Sequence, residues 1–326
     1  MLLKLLTFAL ISLAITAVLA LGLIASQRPG PLSAGKGLDF TATLEGDRVT
    51  PMPLTQVSMR DGFPLQMRDY PGPGGDAPLL ILVHGSGWHG MQFDGLARRL
   101  SARAHVVVPD LRGHGPEPGR RGDIDYLGQY EDDLADLIKA TATNGQKVVL
   151  GGHSSGGGLV VRMAGGPQGA LLDGAVLMAP FLKYNAPVTR PNSGGWAQPL
   201  TRRIIGLSIL NTFRIAALNH LAVIQFRMPQ EVLDGPLGDT ATTAYSYRLN
   251  TSFAPRGKYL DDVATLPPFV LIAGSTDEAF DAAGYENLLT QATDKGRYVI
   301  VPDVGHLDIV DAPDTAQTVE AFLNDL

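Results

Sequence analysis

Read for hydrophobic and polar positions, the chain contains three kinds of stretch. The first is continuous. From Leu5 to Ala25 no side chain is charged, and the apolar residues lie on every face rather than on one. As a helix this run spans ~30 Å, one hydrocarbon core, so it predicts a membrane-crossing segment rather than an amphipathic surface helix. A cleaved signal peptide is the competing reading. Its apolar stretch is only ~7–15 residues, and the small residues here (Ala17, Ala20, Gly22, Ala25) mark no single cleavage point. A core helix is the remaining alternative. We expect an uncleaved signal-anchor over residues 1–25. The flanking charges, Lys4 against Arg28 and Lys36, nearly balance, with a slight preference for an exported domain.

The second kind is short and aliphatic on consecutive positions. Six such runs occur: Leu79–Val83, His105–Val108, Lys147–Leu150, Gly174–Met178, Phe269–Ile272 and Tyr298–Val301. Consecutive aliphatic residues suit strands buried on both faces of a parallel sheet. Stretches with helical spacing lie between most of them (Met91–Arg103, Tyr126–Thr143, Ser155–Ala164, Ala279–Thr293), and Ala312–Leu326 closes the chain. Strand and helix in alternation predict a doubly wound α/β fold with a mostly parallel sheet. In Tyr130–Lys139, Leu134, Leu137 and Ile138 fall on one side and most of the acids on the other, the pattern of a surface-packed helix.

The third kind breaks this rhythm. The fourth and fifth runs are separated by far more than a normal connection. Trp196–Val223 within it reads as one or two apolar helices, with His220 as a packing residue. We expect a helical cap over residues 182–264, inserted above the C-terminal edge of the sheet where ligands of open α/β sheets bind. Ser26–Lys36 is rich in Pro, Gly and Ser and has little to pack, so residues 26–45 read as a flexible tether. The folded domain is expected from residue 46, its start falling between Asp39 and Thr50.

Composition narrows this picture. Charged residues make up 18%, below the ~25% of ordinary soluble domains, and the mean hydropathy is +0.08. The chain has no cysteine, which removes disulfide scaffolds, cysteine zinc sites and a thiol nucleophile. A net charge of -6 argues against nucleic-acid binding.

The chemistry-bearing residues sit at strand ends. Gly152-His153-Ser154-Ser155-Gly156 follows an aliphatic run and opens a helix, the strand–turn–helix setting that lifts a nucleophilic serine above the sheet edge. In that setting the acid and the histidine follow in order. His306 lies on a loop after the sixth run, where a base must hang to reach Ser154. Asp277, after the fifth run, is the expected orienting acid, Glu278 its runner-up, and Asp303 a turn residue. The oxyanion donors should be the backbone N–H groups of Ser155 and of Ser86, in His84-Gly85-Ser86-Gly87-Trp88-His89-Gly90. Trp88 and His89 either line the site or pack beneath it; with Tyr245 of the cap they are the candidate substrate-binding residues. Asp110-Leu111-Arg112-Gly113-His114-Gly115 reads as a tight turn whose charges fix neighbouring loops. Neither metal-ligand spacing nor a phosphate loop occurs, so no metal or other cofactor is expected.

With these residues placed, the chain resembles the α/β-hydrolases. More narrowly it is similar to the monoacylglycerol lipase and lysophospholipase branch, often grouped with serine aminopeptidase-like sequences. The matching pieces are His84-Gly85, Asp110-x-Arg112-Gly113-His114-Gly115, Gly152–Gly156, Asp277 and Gly305-His306. The resemblance implies a serine hydrolase with Ser154 as nucleophile, His306 as base, Asp277 as acid and Ser86 and Ser155 as oxyanion donors. Lipases of this branch commonly carry an acidic-His pair where this chain has Trp88-His89. The expected substrate is a small carboxylic ester, acyl or lipid-like, such as a monoglyceride or lysophospholipid. An aminopeptidase-like amidase holding its substrate amine with Glu231 or Asp234, a non-hydrolytic use of the same triad, and a membrane-tethered binding protein are the alternatives. The only other partner expected is the membrane, through the N-terminal helix; the oligomeric state is left open.

Overall fold

The six aliphatic runs become the six parallel strands of one sheet. The computed structural model describes residues 1–32, 37–41 and 50–326. In chain order its main elements begin with helix α1 (Leu2–Ala25) and strands β1 (Leu54–Ser58), β2 (Pro64–Tyr70) and β3 (Leu79–Val83). Helix α2 (Asp94–Leu100), β4 (His105–Pro109), α3 (Gln129–Thr141), β5 (Val148–His153), α4 (Ser155–Ala164) and β6 (Gly174–Met178) follow. After a long insertion come β10 (Phe269–Gly274), α9 (Gly284–Leu289), β11 (Gly296–Val301) and α10 (Pro313–Asn324). The strand order is β1-β2-β4-β3-β5-β6-β10-β11. From β4 to β11 every pairing is parallel; β1 and β2 add an antiparallel edge.

Parallel strands need covering on both faces, and the sequence supplies it. All five residues of β3 and of β6, and all six of β10, are buried. Helix α3 departs from the expected polar-out pattern. Its Glu131 and Asp133 are buried, because Arg162 and Arg256 pair with Glu131 and Arg112 pairs with Asp133. The segment read as a helix over Ala279–Thr293 is helical only over Gly284–Leu289; the residues before it form the loop that follows β10.

The insertion between β6 and β10 carries helices, as expected, and adds a small sheet that the apolar pattern did not announce. It consists of β7 (Ala197–Pro199), α5 (Thr201–Thr212), β8 (Ala222–Phe226), α6 (Gln230–Leu233), β9 (Ala244–Ser246), α7 (Tyr247–Phe253) and α8 (Tyr259–Ala264). The three strands pair antiparallel in the order β7-β8-β9. His220 is exposed rather than packed: it follows the end of α5, and its ring bonds to the nearby Ala217 carbonyl.

Helix α1 does not stand free. Ala20 and Ile24 pack with Leu207 and Leu210 of α5 and with Val223 and Tyr247. The expected tether is also docked where it is described. The Gln27 side chain accepts the Arg202 backbone N–H, and the Gln225 amide exchanges two hydrogen bonds with the Gly30 backbone, so tether and insertion satisfy each other's backbone groups. Farther on, Phe40 packs on Trp196 with ring centroids 5.8 Å apart. The expected domain start, between residues 39 and 50, falls largely outside the described residues.

Candidate active site

Four loops at the C-terminal edge of the sheet converge. The one after β5 is a single residue. β5 ends at His153 and α4 begins at Ser155, so Ser154 alone turns the chain, with φ 54° and ψ -118°. That backbone is costly for a residue with a Cβ. It is held by close approach on both sides. A Cβ at Gly156 would strike the carbonyl oxygens of Val83 and His84, and one at Gly152 would strike the Gly156 backbone.

His306 lies after β11 and Asp277 after β10, and parallel pairing of these strands brings both loops to the same edge as Ser154. His306 Nε2 lies 3.0 Å from Ser154 Oγ, and His306 Nδ1 lies 2.8 Å from Asp277 Oδ2. The other Asp277 oxygen accepts the N–H groups of Ala279 and Phe280, each at 2.8 Å. Burial pushes the Asp277 carboxyl pKa up, but His306 and these two N–H donors outweigh it and hold it below the ordinary value. An ionised Asp277 accepts the hydrogen bond from Nδ1–H and keeps the proton on that nitrogen, which leaves the Nε2 lone pair facing the serine hydroxyl. The Phe280 ring packs edge-on against His306 at 5.1 Å.

Glu278, the runner-up, has a different place. Its carboxylate accepts the backbone N–H groups of His306 and Asp39 and does not reach the imidazole. Asp303 sits in a turn at φ 57° and donates its N–H to Ser275 Oγ.

Ser86 and Ser155 line one cavity together with Ser154 and His306. Among the described residues neither of their N–H groups has an acceptor, whereas the amides on either side of Ser86 are both used. Gly85 donates to Gln92 Oε1 at 3.1 Å, and Gly87 donates to Tyr245 Oη at 2.7 Å. The Ser86 hydroxyl accepts from Trp196 Nε1–H. The cavity is narrow, about 60 Å³, with walls largely of Phe181, Trp196, Ile224, Phe226, Phe253 and Phe280. A larger cavity of about 320 Å³ lies at the opposite edge of the sheet, around Lys147, Lys295 and Arg297, remote from Ser154.

The candidate substrate-binding residues divide. Tyr245 borders the cavity, its hydroxyl turned to Gly87 and to His114. Trp88 and His89 do not border it. His89 is 1% exposed, stacks on Trp88 at 4.7 Å and bonds to Thr240, so the pair packs beneath the loop.

Sequence reasoning missed the polar groups under the site. Gly85 N–H donates to Gln92 Oε1, the Gln92 amide faces His153 Nδ1 at 3.1 Å, and His153 Nε2 faces the His306 carbonyl at 2.9 Å. The chain of bonds fixes each role. Since Gln92 Oε1 accepts, its NH2 donates to Nδ1, and the His153 proton lies on Nε2. His84 is held likewise between Gly85 O and the Leu111 N–H. Burial drives the pKa of His153 down to about 3 and that of His84 and His89 to about 4. A histidine directly before the serine was the available signal, but nothing in the sequence pairs it with Gln92.

Asp110 and Arg112 fix loops from buried positions. Asp110 Oδ1 accepts from Arg68 and from the Gly90 N–H, and Arg112 spans Asp133 and Asp61.

Comparison with known proteins gives a consistent frame. The model of the alpha/beta hydrolase family matches residues 80–318. An uncharacterized Mycobacterium tuberculosis protein is 32% identical over 90 residues, which is 28% of this chain and 26% of that protein. The chain thus matches about a quarter of the length of such relatives. A monoglyceride lipase from Saccharomyces cerevisiae superposes with TM-score 0.64 at 18% identity, covering 85% of this chain and 95% of the other. A bacterial membrane phospholipase A superposes with TM-score 0.58 at 20% identity, covering 99% and 97%. At these identities the superpositions speak for the fold.

Proposed function

The chain belongs to the alpha/beta hydrolase family, and on that premise we propose that it is a serine ester hydrolase acting on acyl, lipid-like esters. The observation that carries this reading is the unbroken path Asp277–His306–Ser154 beside the N–H groups of Ser86 and Ser155, neither of which has an acceptor among the described residues. Ser154 Oγ attacks the ester carbonyl while His306 Nε2 takes its proton. The carbonyl oxygen becomes an oxyanion, stabilised by the N–H groups of Ser86 and Ser155; one such donor is worth ~2.7–4 kcal/mol of barrier. His306 then returns the proton to the leaving alkoxide, and the acyl-serine forms. Water, deprotonated by His306, attacks the acyl-serine; the acid leaves and Ser154 regains its proton. Asp277 stays ionised throughout and orients the ring.

Aromatic and aliphatic walls favour an acyl group over a polar one. The printed names of two structural neighbours, a monoglyceride lipase and a membrane phospholipase A, agree with a lipid-like substrate. No carboxylate borders the cavity among the described residues, and Glu231 and Asp234 are exposed elsewhere, so the amidase reading lacks the group to hold an amine. We also propose α1 as a signal-anchor, a cap formed by the insertion, and an exported catalytic domain. α1 is the one described helix long and apolar enough to cross a membrane.

A chain-length series of p-nitrophenyl acyl esters tests the activity. Ser154→Ala is expected to lower kcat by at least ~10⁴-fold. Equal turnover in the variant and the parent would remove Ser154 as nucleophile; preference for acetyl over butyryl and longer chains would remove the lipid-like substrate. A reporter enzyme fused at the C-terminus reads the side of the membrane.

A further inference from the structure

We propose that the insertion docks on the bilayer that α1 crosses, with the α5 stripe and the turn after it, residues 205–217, entering the boundary between headgroups and acyl chains. This rests on the anchor reading of α1. The geometry of the α1–α5 contact carries it. Arg202 N–H meets Gln27, Arg203 Nε donates to the Ile24 carbonyl, and Gly206 lies against Ala20 and Ile24 so closely that a Cβ there would clash with the Ala20 carbonyl. Successive residues of α5 therefore meet successively earlier residues of α1. The helix runs back along α1, from its water end toward its apolar middle. Phe213 lies seven residues past Gly206, about 10 Å farther in that direction.

The surface that arrives there is apolar. Ile205, Phe213 and Ile215 are 47%, 51% and 48% exposed, and Ala216 and Ala217 beside them are exposed too. Ile205, Ile209 and Phe213 are spaced by four, so they form one stripe along the helix. A stripe of this kind facing water would be an unusual expense, whereas facing lipid it matches the exposed Leu13, Val18 and Leu21 of α1.

Charge adds an independent argument. Arg28 and Arg202 lie exposed at the water end of α1, beside Arg203, whose buried guanidinium is taken up by the Ile24 and Ala222 carbonyls, and Arg214 sits between Phe213 and Ile215. Among the described residues none of the four has an acidic partner. The three exposed cations, Arg28, Arg202 and Arg214, at the rim of an apolar face fit lipid phosphates, and the long arginine stem lets Arg214 reach back to them. The same cluster touches the cavity: Ile224 packs against the α1–α5 contact and also lines the cavity wall. Docking would set the cavity beside the acyl chains, so a lipid-like ester could enter without crossing water.

The absence of cysteine makes the test clean. Single-cysteine variants of the full chain (Leu13→Cys, Phe213→Cys, Ile215→Cys and Asn287→Cys) are labelled with NBD and reconstituted in vesicles of phosphatidylcholine and phosphatidylglycerol. Dithionite added outside, and lipids carrying a spin label near the headgroup, report water and lipid access in vesicles that hold the domain outside. The expected result is reduction at least tenfold slower at 213 and 215 than at 287, with quenching by the shallow spin label. Reduction at 213 and 215 as fast as at 287, with position 13 still protected, overturns the docking alone. Rapid reduction at position 13 overturns the anchor reading and the docking with it. Protection at 213 and 215 without lipid quenching, growing with protein density, assigns the stripe to a second copy and overturns the proposal. The double variant Phe213→Ser/Ile215→Ser should keep its turnover of soluble p-nitrophenyl acetate and lose at least fivefold on an ester embedded in the vesicles. Unchanged turnover of both substrates is the contrary result.

Discussion

Gln92 offers the sharpest test of how this site is held. It links the Gly85 amide to His153, and through His153 it reaches the His306 carbonyl. Gln92→Leu keeps most of the volume and removes both bonds. The buried Gly85 N–H and the buried His153 Nδ1 are then orphaned, at ~1–3 kcal/mol each, so stability should fall by roughly 2–6 kcal/mol. The loop next to Gly85 presents the Ser86 N–H. If its displacement costs part of one oxyanion donor, kcat falls ~10–10³-fold while KM changes little, since the acyl-binding walls are untouched. Gln92→Glu separates positioning from mere packing. A carboxylate still accepts from Gly85, but it meets the His153 lone pair unless Nδ1 is protonated, and burial holds that pKa at about 3 in the parent. Acid restores the bridge, so the ratio of variant to parent turnover should rise as pH falls from 8.5 to 6. Initial rates on p-nitrophenyl butyrate across that range, with Tm measured alongside, give the answer. A Leu variant with parent-like kcat and a lowered Tm, or a Glu variant whose ratio is flat with pH, would refute the reasoning.

Three other outcomes follow from buried polar groups. His84, His89 and His153 have folded pKa values depressed below 6.5 to about 4, 4 and 3. The unfolded chain therefore binds more protons below neutrality, so their contribution is complete above pH 6.5 and is lost as pH falls toward the folded values. From pH 7.5 to 5.5 each should cost ~1.4 kcal/mol, together about 4, read as a falling denaturant midpoint; this window lies above the range where ordinary carboxylates titrate. A midpoint that rises over that range would contradict the neutral assignment. Arg112→Ala leaves Asp133 buried without its partner and should cost ~3–5 kcal/mol, seen as a drop in Tm that adding Asp133→Asn partly restores. Tyr245→Phe removes the acceptor of the Gly87 N–H and the partner of His114 and should lower Tm by the equivalent of ~1–3 kcal/mol for each group left unpaired; an unchanged Tm would show that water replaces the hydroxyl.

The sequence by itself determined the scaffold and the order of the chemistry. Leu79–Val83 and Gly174–Met178 coincide with β3 and β6, because strands buried on both faces must be continuously apolar. Ser154, Asp277 and His306 were legible for the same reason: strand ends of a parallel sheet meet along one edge. The antiparallel edge was not legible, since β2 carries Gln66, Arg68 and Asp69 and escapes any apolar pattern. The small sheet of the insertion was hidden as well, its strands being short and partly exposed. The tertiary structure adds what separates Asp277 from its runner-up Glu278: of these adjacent carboxylates one turns to the imidazole and the other to the backbone. It alone moved Trp88 and His89 out of the cavity, tied Gln92 to His153 across 61 residues, and laid α5 back along α1. Local pattern records which face of a segment is buried. Partners distant in sequence are chosen by where the whole fold brings their backbones, and a single chain carries no local trace of that choice.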